Sequence, residues 1–213
     1  AGRLRSSGDF WGLIDTSARQ IAAHADYLVF PANVVRDGFK TMVGATDAKL
    51  VVQPQGLLTP NRWLGRREDA REHVRATLGI ARHARIVLGV GHADHRKGVD
   101  LFIEAGLRVL DRDEDVRFVW VGRQEPAVCE PALARLRRSG KFDSFRFIPP
   151  IRDPYAFFAG ADVYAMTSRE DPFPLVVLEA LDAALPVVGF ETAGGFVDLL
   201  KRGCGAVVPI GDV

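Results

Sequence analysis

The chain has 213 residues, 47% of them apolar and 26% charged, with a formal net charge of +1. That balance describes a soluble globular protein with one sizeable core, or one domain plus part of another, and gives no electrostatic case for nucleic acid or an acidic membrane surface. Its two cysteines, Cys129 and Cys204, exclude a disulfide framework, and no apolar run nears the roughly 20 residues that span a bilayer. The expected compartment is therefore reducing and cytoplasmic. The chain opens on Ala1 without a methionine, and it reads as a piece of a longer protein.

In chain order, apolar spacing predicts a helix over 9–25, a strand over 27–30, a helix from 32 to 43–44 and a strand over 49–52. The Pro, Gly and Asn density of residues 53–61 marks a linker. A charged helix follows over 67–78, with Gly79 as its stop. Strands over 85–90, 116–121, 145–148, 161–166, 186–190 and 206–208 then alternate with helices. These cover 98–110, 131–139 and 155–159, a helix opening at about 175, and 196–201. Leu101, Phe102, Ala105 and Val109 share one face of the helix over 98–110, and Leu175, Leu178 and Leu181 repeat at helical spacing. Near-continuous apolar strands separated by helices indicate an α/β fold, a Rossmann-like doubly wound parallel sheet, from about residue 67 onward.

In such a sheet, ligands bind at the carboxyl ends of the strands. Loops 91–98, 122–125, 149–153, 167–174 and 191–195 leave those ends carrying glycine or polar residues. The first, opening on Gly91 and His92, has Asp94 where a dinucleotide-binding Gly-x-Gly-x-x-Gly run needs its third glycine, which counts against a dehydrogenase. What remains is a glycine-started loop with Arg96 and Lys97 entering a helix. Two readings stand: a diphosphate clamp or a solvated first-turn lysine. His92, Asp94 and His95 fit no metal-ligand spacing, and no metal is expected.

The segment 168–180 is the most informative. Asp171 and Glu179 stand eight positions apart across a Pro172-Phe173-Pro174 turn that opens a helix. A helix start suits phosphate, and carboxylates beside it accept hydrogen bonds from hydroxyls. Asp171 could instead cap the helix, and Glu170 competes with it for the ligand-facing position. Glu179 could be a solvated helical glutamate, yet it lies inside an apolar run where a buried carboxylate needs a partner such as a ribose diol. Gly194-Gly195 either brings amides near a ligand or forms a plain turn.

Taken in order, Lys97-Gly98, Val121-Gly122, Ala161-Asp162-Val163, Asp171-Pro172-Phe173-Pro174 with Glu179-Ala180, Pro186-Val187-Val188 and Gly194-Gly195 resemble the retaining glycosyltransferases of family 4, the group 1 domain, over about 86–209. The resemblance implies the donor-binding half of a GT-B fold with a remnant of the preceding domain. It divides the chain into 1–52, the tail of an N-terminal acceptor domain; 53–66, a hinge; and 67–213, a nucleotide-sugar-binding domain cut short at its C-terminus. It implies a sugar transferred from a nucleotide sugar to a hydroxyl with retention, by a hexosyltransferase-type enzyme that needs no cofactor or metal.

By position, Lys97 then grips the diphosphate, with Gly91, His92, Arg96 and Gly122 around it. Pro150 and Ile151 lie where the nucleobase rests, Asp171 holds sugar hydroxyls and Glu179 the ribose. Backbone near Phe173, Pro174 and Leu175 meets sugar and phosphate. The family usually has arginine where this chain has His92, glutamate where it has Asp171, and often glycine where it has Pro174. The saccharide or lipid-linked acceptor belongs to the other domain. No nucleic-acid partner and no transmembrane segment are implied, and the whole protein is cytoplasmic or peripheral to a membrane. The other reading is a non-catalytic nucleotide-sugar binding module.

Overall fold

A computed structural model describes residues 7–44 and 49–212. The outer bounds of the expected domains, residues 1 and 213, lie outside the described residues. The chain separates into two compact units, Ala1–Gln55 and Gly56–Val213. The first contains α1 (Ser7–His24), β1 (Leu28–Phe30), α2 (Asn33–Val43) and β2 (Leu50–Val52), with β1 and β2 paired in parallel. Gly44 closes α2 in the left-handed conformation, its N–H bonded to the Lys40 carbonyl.

The second unit runs α3 (Arg67–Leu78), β3 (Arg85–Val90), α4 (Val99–Leu110), β4 (Val116–Val121), α5 (Pro126–Arg138), β5 (Phe145–Ile148), α6 (Tyr155–Gly160), β6 (Val163–Met166), α7 (Leu175–Asp182), β7 (Val187–Phe190), α8 (Val197–Leu199) and β8 (Gly205–Val208). Its six strands form one parallel sheet in the order β5-β4-β3-β6-β7-β8. Counted from β3, that is the 3-2-1-4-5-6 order of a doubly wound fold, whose ligand crevice opens where the order reverses. Here the reversal falls between β3 and β6, paired through Val87 with Val163 and Leu88 with Tyr164.

Period-two alternation along the strands feeds a core on each face. On one side Ile86, Leu88, Val119, Val121 and Tyr164 pack with residues of α3, α6 and α7. On the other, Phe118 and Trp120 join Phe102 of α4, Leu133 and Leu136 of α5, and Phe145. There Phe102 meets Trp120 edge-on with ring centroids 5.1 Å apart, and Phe118 stacks on Phe145 at 5.0 Å. Each such buried ring contributes about 1.5–3 kcal/mol relative to an exposed one.

Two helical faces differ from the sequence expectation for one reason. The core face of α4 is Val99, Phe102, Ile103, Gly106, Leu107 and Leu110, while Val109 is exposed. A Cβ on Gly106 would sit 2.5 Å from the Phe145 ring, so the helix approaches through its smallest residue. Likewise α7 presents Val177 and Ala180 to the core, and Leu175, Leu178 and Leu181 are only half-buried. Close packing admits Gly106 and Ala180 to these faces, while Leu181 packs against the core only partly buried.

In the second unit three elements also differ from expectation by two residues or more. Helix α5 starts at Pro126, five residues before the expected Pro131, because proline is well suited to a first helical turn. Strand β6 begins at Val163, with Ala161 and Asp162 ahead of it. The helix expected over 196–201 is one α-turn followed by a wider π-turn, Leu200–Cys204, broken at Gly203.

Candidate functional site

The carboxyl ends of β3, β4 and β5 enclose a cleft of about 310 Å³ lined by Val90, Gly91, His92, Val121, Gly122, Arg123, Pro150, Ile151 and Pro154. Five of the twelve predicted site residues therefore share one cavity: Gly91, His92, Gly122, Pro150 and Ile151. Its floor is backbone. The Trp120 indole N–H donates to the Gly91 carbonyl at 3.0 Å, and the Gly122 N–H donates to the Ile148 carbonyl at 2.9 Å. Its walls are largely apolar, with the exposed His92 and Arg123 side chains at the rim. That combination suits a flat ring with a charged substituent.

Lys97 extends the site toward β6. Its stem lies over Gly91, where an added Cβ would be 3.2 Å from the Lys97 Cε. The side chain is 12% exposed; its ammonium lies 2.5 Å from Asp171 Oδ2, and Arg96 reaches the same oxygen at 3.3 Å. The turn before α4 is fixed by Asp94, whose Oδ1 accepts from the Lys97 N–H at 2.7 Å. Gly98 follows with φ 68°, and a Cβ there would stand 2.0 Å from the Thr167 carbonyl oxygen. Glycine at this point lets the Lys97 loop lie against the loop leaving β6.

Asp171 is buried and does not cap α7, whose N-cap position is Pro174 with no side-chain hydrogen bond. Only its Oδ2 is engaged; Oδ1 accepts no hydrogen bond from the described residues. Glu170 is exposed, and its carbonyl rather than its carboxylate meets Arg96, at 3.1 Å. Between the two adjacent acids, the structure turns Asp171 inward. The N–H groups of Leu175 and Val176 open α7 without intrahelical acceptors, and Phe173 lies half-buried just ahead of them. Pro174 is buried and brings no N–H.

Glu179 is half-buried on α7, off the core face, and its carboxylate forms no ion pair or hydrogen bond with the described residues. Burial pushes its carboxyl above the usual carboxylate range, and the charge of Asp153 adds to the effect. It is an acceptor held partly out of water without a partner.

Gly194-Gly195 has a different part from offering amides to a ligand. The Gly195 N–H donates to the Pro172 carbonyl at 3.0 Å, and a Cβ on Gly194 would lie 1.7 Å from the Asp171 carbonyl oxygen. The Asp171 N–H donates to the Ala193 carbonyl at 2.6 Å. The loop after β7 is therefore a backing plate for the Asp171 turn. Sequence reasoning missed this and also missed Arg123, Pro154 and the pair Arg169–Asp100. The loops carrying them were visible; which side chains turn inward was not. Among the described residues no group of three or more histidine, cysteine, aspartate or glutamate side chains could hold a metal ion.

Comparison with known proteins agrees with the architecture. Residues 84–213 match the family model for glycosyl transferases group 1. The chain is 31% identical over 184 residues to a D-inositol 3-phosphate glycosyltransferase of Actinosynnema mirum, covering 82% of this chain and 43% of that protein. It is 34% identical over 201 residues to the protein of the same name from Kineococcus radiotolerans, covering 88% and 45%. The chain thus spans less than half the length of these curated relatives. Among solved structures, HepE of Anabaena, in complex with UDP-glucose, superposes with a TM-score of 0.77 at 21% identity, covering 92% of this chain and 54% of that one. WaaG, a glycosyltransferase involved in lipopolysaccharide biosynthesis, gives a TM-score of 0.74 at 24% identity, covering 85% and 49%. At these identities the structural likeness establishes the fold.

Proposed function

We propose that this chain, which belongs to the glycosyl transferases group 1 family, is the half of a transferase that holds the nucleotide-sugar donor. One observation carries the reading: the cleft, the Lys97 ammonium and the open oxygen of Asp171 form a continuous line across the switch point of the sheet. A donor laid along it has its base against Pro150 and Ile151 and its diphosphate at Gly91 and Lys97. Its ribose hydroxyls meet Glu179, and its sugar hydroxyls meet Asp171. His92 and Arg96 flank the phosphates, and the Leu175 and Val176 amides face them with the partial positive charge of a helix start.

The chemistry follows from where charge develops. As the bond from the anomeric carbon to the diphosphate lengthens, positive charge grows on the sugar and negative charge on the departing phosphate. Lys97 and the α7 amides are donors fixed in advance for that negative charge. To serve the diphosphate, Lys97 must share or leave Asp171. Arg96 then remains beside the carboxylate while its oxygens turn to sugar hydroxyls. Glu179 gains in the diol the partner it lacks. The proposed transfer is to an acceptor hydroxyl with retention at the anomeric carbon, and the proposed domains are the tail of an acceptor domain over 1–52, a hinge over 53–66 and the donor domain from 67. Because the acceptor side is supplied elsewhere, residues 1–213 alone bind donor but turn over little.

A thermal-shift panel of UDP-, GDP- and ADP-sugars tests the reading, with UDP-glucose first. A ligand at a hundred times its dissociation constant stabilises by about 2.7 kcal/mol. No shift with any of the three contradicts donor binding, and rapid sugar transfer by residues 1–213 alone contradicts the division of labour.

A further inference from the structure

The loop that carries Lys97 and the loop that carries Asp171 are joined by a set of contacts centred on one residue. The Arg169 guanidinium meets the Asp100 carboxylate with two parallel bonds, Nη1 to Oδ1 at 2.9 Å and Nη2 to Oδ2 at 2.7 Å. The same Nη1 donates to the His95 carbonyl at 2.7 Å, and the Arg169 N–H donates to the Arg96 carbonyl at 2.8 Å. Thr167 adds its hydroxyl to the Lys97 carbonyl at 3.2 Å. A fork-to-fork arginine–carboxylate pair fixes angle as well as distance. Asp100 sits in the first turn of α4, three residues after Lys97, and Arg169 is two residues before Asp171. The pair therefore spans the gap between the two site residues from behind.

We infer that Arg169, locked to Asp100, is a positioning residue that sets the spacing between the Lys97 ammonium and the Asp171 carboxylate, and so the register of diphosphate against sugar. Arg169 is not among the residues that line the cleft, and its bonds run to the Asp100 carboxylate and to the His95 and Arg96 carbonyls. Its effect is transmitted through the backbone of 95–97 and 169–171. Hydrogen bonding from Arg169 holds the Asp100 carboxyl below the usual carboxylate range, and Asp100 in turn raises the arginine, so the pair stays charged through ordinary conditions.

The inference rests on the donor-site reading and makes a distinction that a purely structural bridge would not. A nucleoside diphosphate uses the cleft, Gly91 and Lys97, and without Arg169 the Lys97 turn is still held by the Asp94 carboxylate and by its packing on Gly91, whereas the Asp171 turn loses its tie to that loop. A nucleotide sugar must also reach Asp171. Calorimetric titration of the chain with UDP and UDP-glucose, and with the GDP and ADP pairs if those bind better, separates the cases. Arg169→Ala is expected to weaken the nucleotide sugar about tenfold while the nucleoside diphosphate stays within about threefold. Asp100→Asn is expected to reproduce this pattern. Arg169→Lys keeps the charge without the fork, and it serves where the alanine variant folds poorly; it is expected to move the same ratio in the same direction. Equal weakening of both ligands, or an unchanged ratio with only a lowered melting temperature, overturns the inference while leaving the donor site standing. Failure of the unsubstituted chain to bind either ligand overturns the donor site, and the positioning role with it.

Discussion

The two ends of β6 each carry an aspartate facing two cations, and they behave differently. At the amino end, Asp162 accepts from Arg71 at 2.5 Å through Oδ1, and from Arg75 at 3.2 Å and the Ile86 N–H at 2.8 Å through Oδ2. Arg75 is 5% exposed and also donates to the Gly160 and Ala84 carbonyls. Both Asp162 oxygens are used by the fold, tying α3 and the start of β3 to the start of β6. At the carboxyl end, Asp171 meets Lys97 and Arg96 through one oxygen and leaves the other open. A carboxylate saturated by its own protein is a structural clamp; one half satisfied beside a cleft is ready for a hydroxyl. The cation count is the same at both ends, and the proposed donor site lies at the end with the unused lone pairs.

Substitutions at the two ends should therefore separate stability from binding. The largest effect is expected for Asp162→Ala, which strands the buried Arg75 charge at a cost of about 4 kcal/mol. Differential scanning calorimetry should record a fall of about 10 °C in melting temperature, with nucleotide affinity of the folded fraction unchanged. Lys97→Ala reverses the pattern. It lowers the melting temperature less than Asp162→Ala, because Arg96 still pairs with Asp171, but costs about 3 kcal/mol, roughly a hundredfold, in transfer by the whole protein. Retained activity there would remove Lys97 from the phosphate site.

Gly194→Ala comes next, because its new methyl group meets the Asp171 carbonyl. Pushing that turn aside should cost about 2 kcal/mol, read as weaker nucleotide-sugar binding, and unaltered binding would show that the turn needs no backing. The smallest effect concerns Glu179. Its folded carboxyl is raised by burial, so the unfolded chain gives up this proton first, and stability falls as pH rises from the unfolded glutamate range through the folded one. Relative to the parent, Glu179→Gln should lose that downward slope in a melting-temperature series from about pH 4 to 7. A parallel slope in both proteins would mean that the carboxylate is better solvated than its surroundings imply.

Much of this was legible from residue pattern. The strands over 85–90, 116–121 and 145–148 and the helix over 67–78 have the bounds the pattern predicts, because long apolar runs and a left-handed Gly79 are local signals. The cleft residues were findable too, since parallel sheets put ligand loops at strand ends. What escaped depends on partners far along the chain. Gly106 faces the core only because the Phe145 ring lies there. Arg169 and Asp100 are 69 positions apart, and nothing in either segment alone announces the pair. Asp162 and Asp171 look alike in sequence; only their surroundings divide the clamp from the proposed site.

Backbone amide chemical-shift mapping on the folded chain, titrated with the nucleotide sugar that gives the largest thermal shift, tests that division most directly. The account predicts shifts concentrated at Gly91, Gly122, Ile151, Asp171 and Leu175, with the Ile86 and Asp162 amides at the other end of the sheet unmoved. Shifts centred on Ile86 and Asp162, with the Gly91 and Asp171 loops silent, would contradict it.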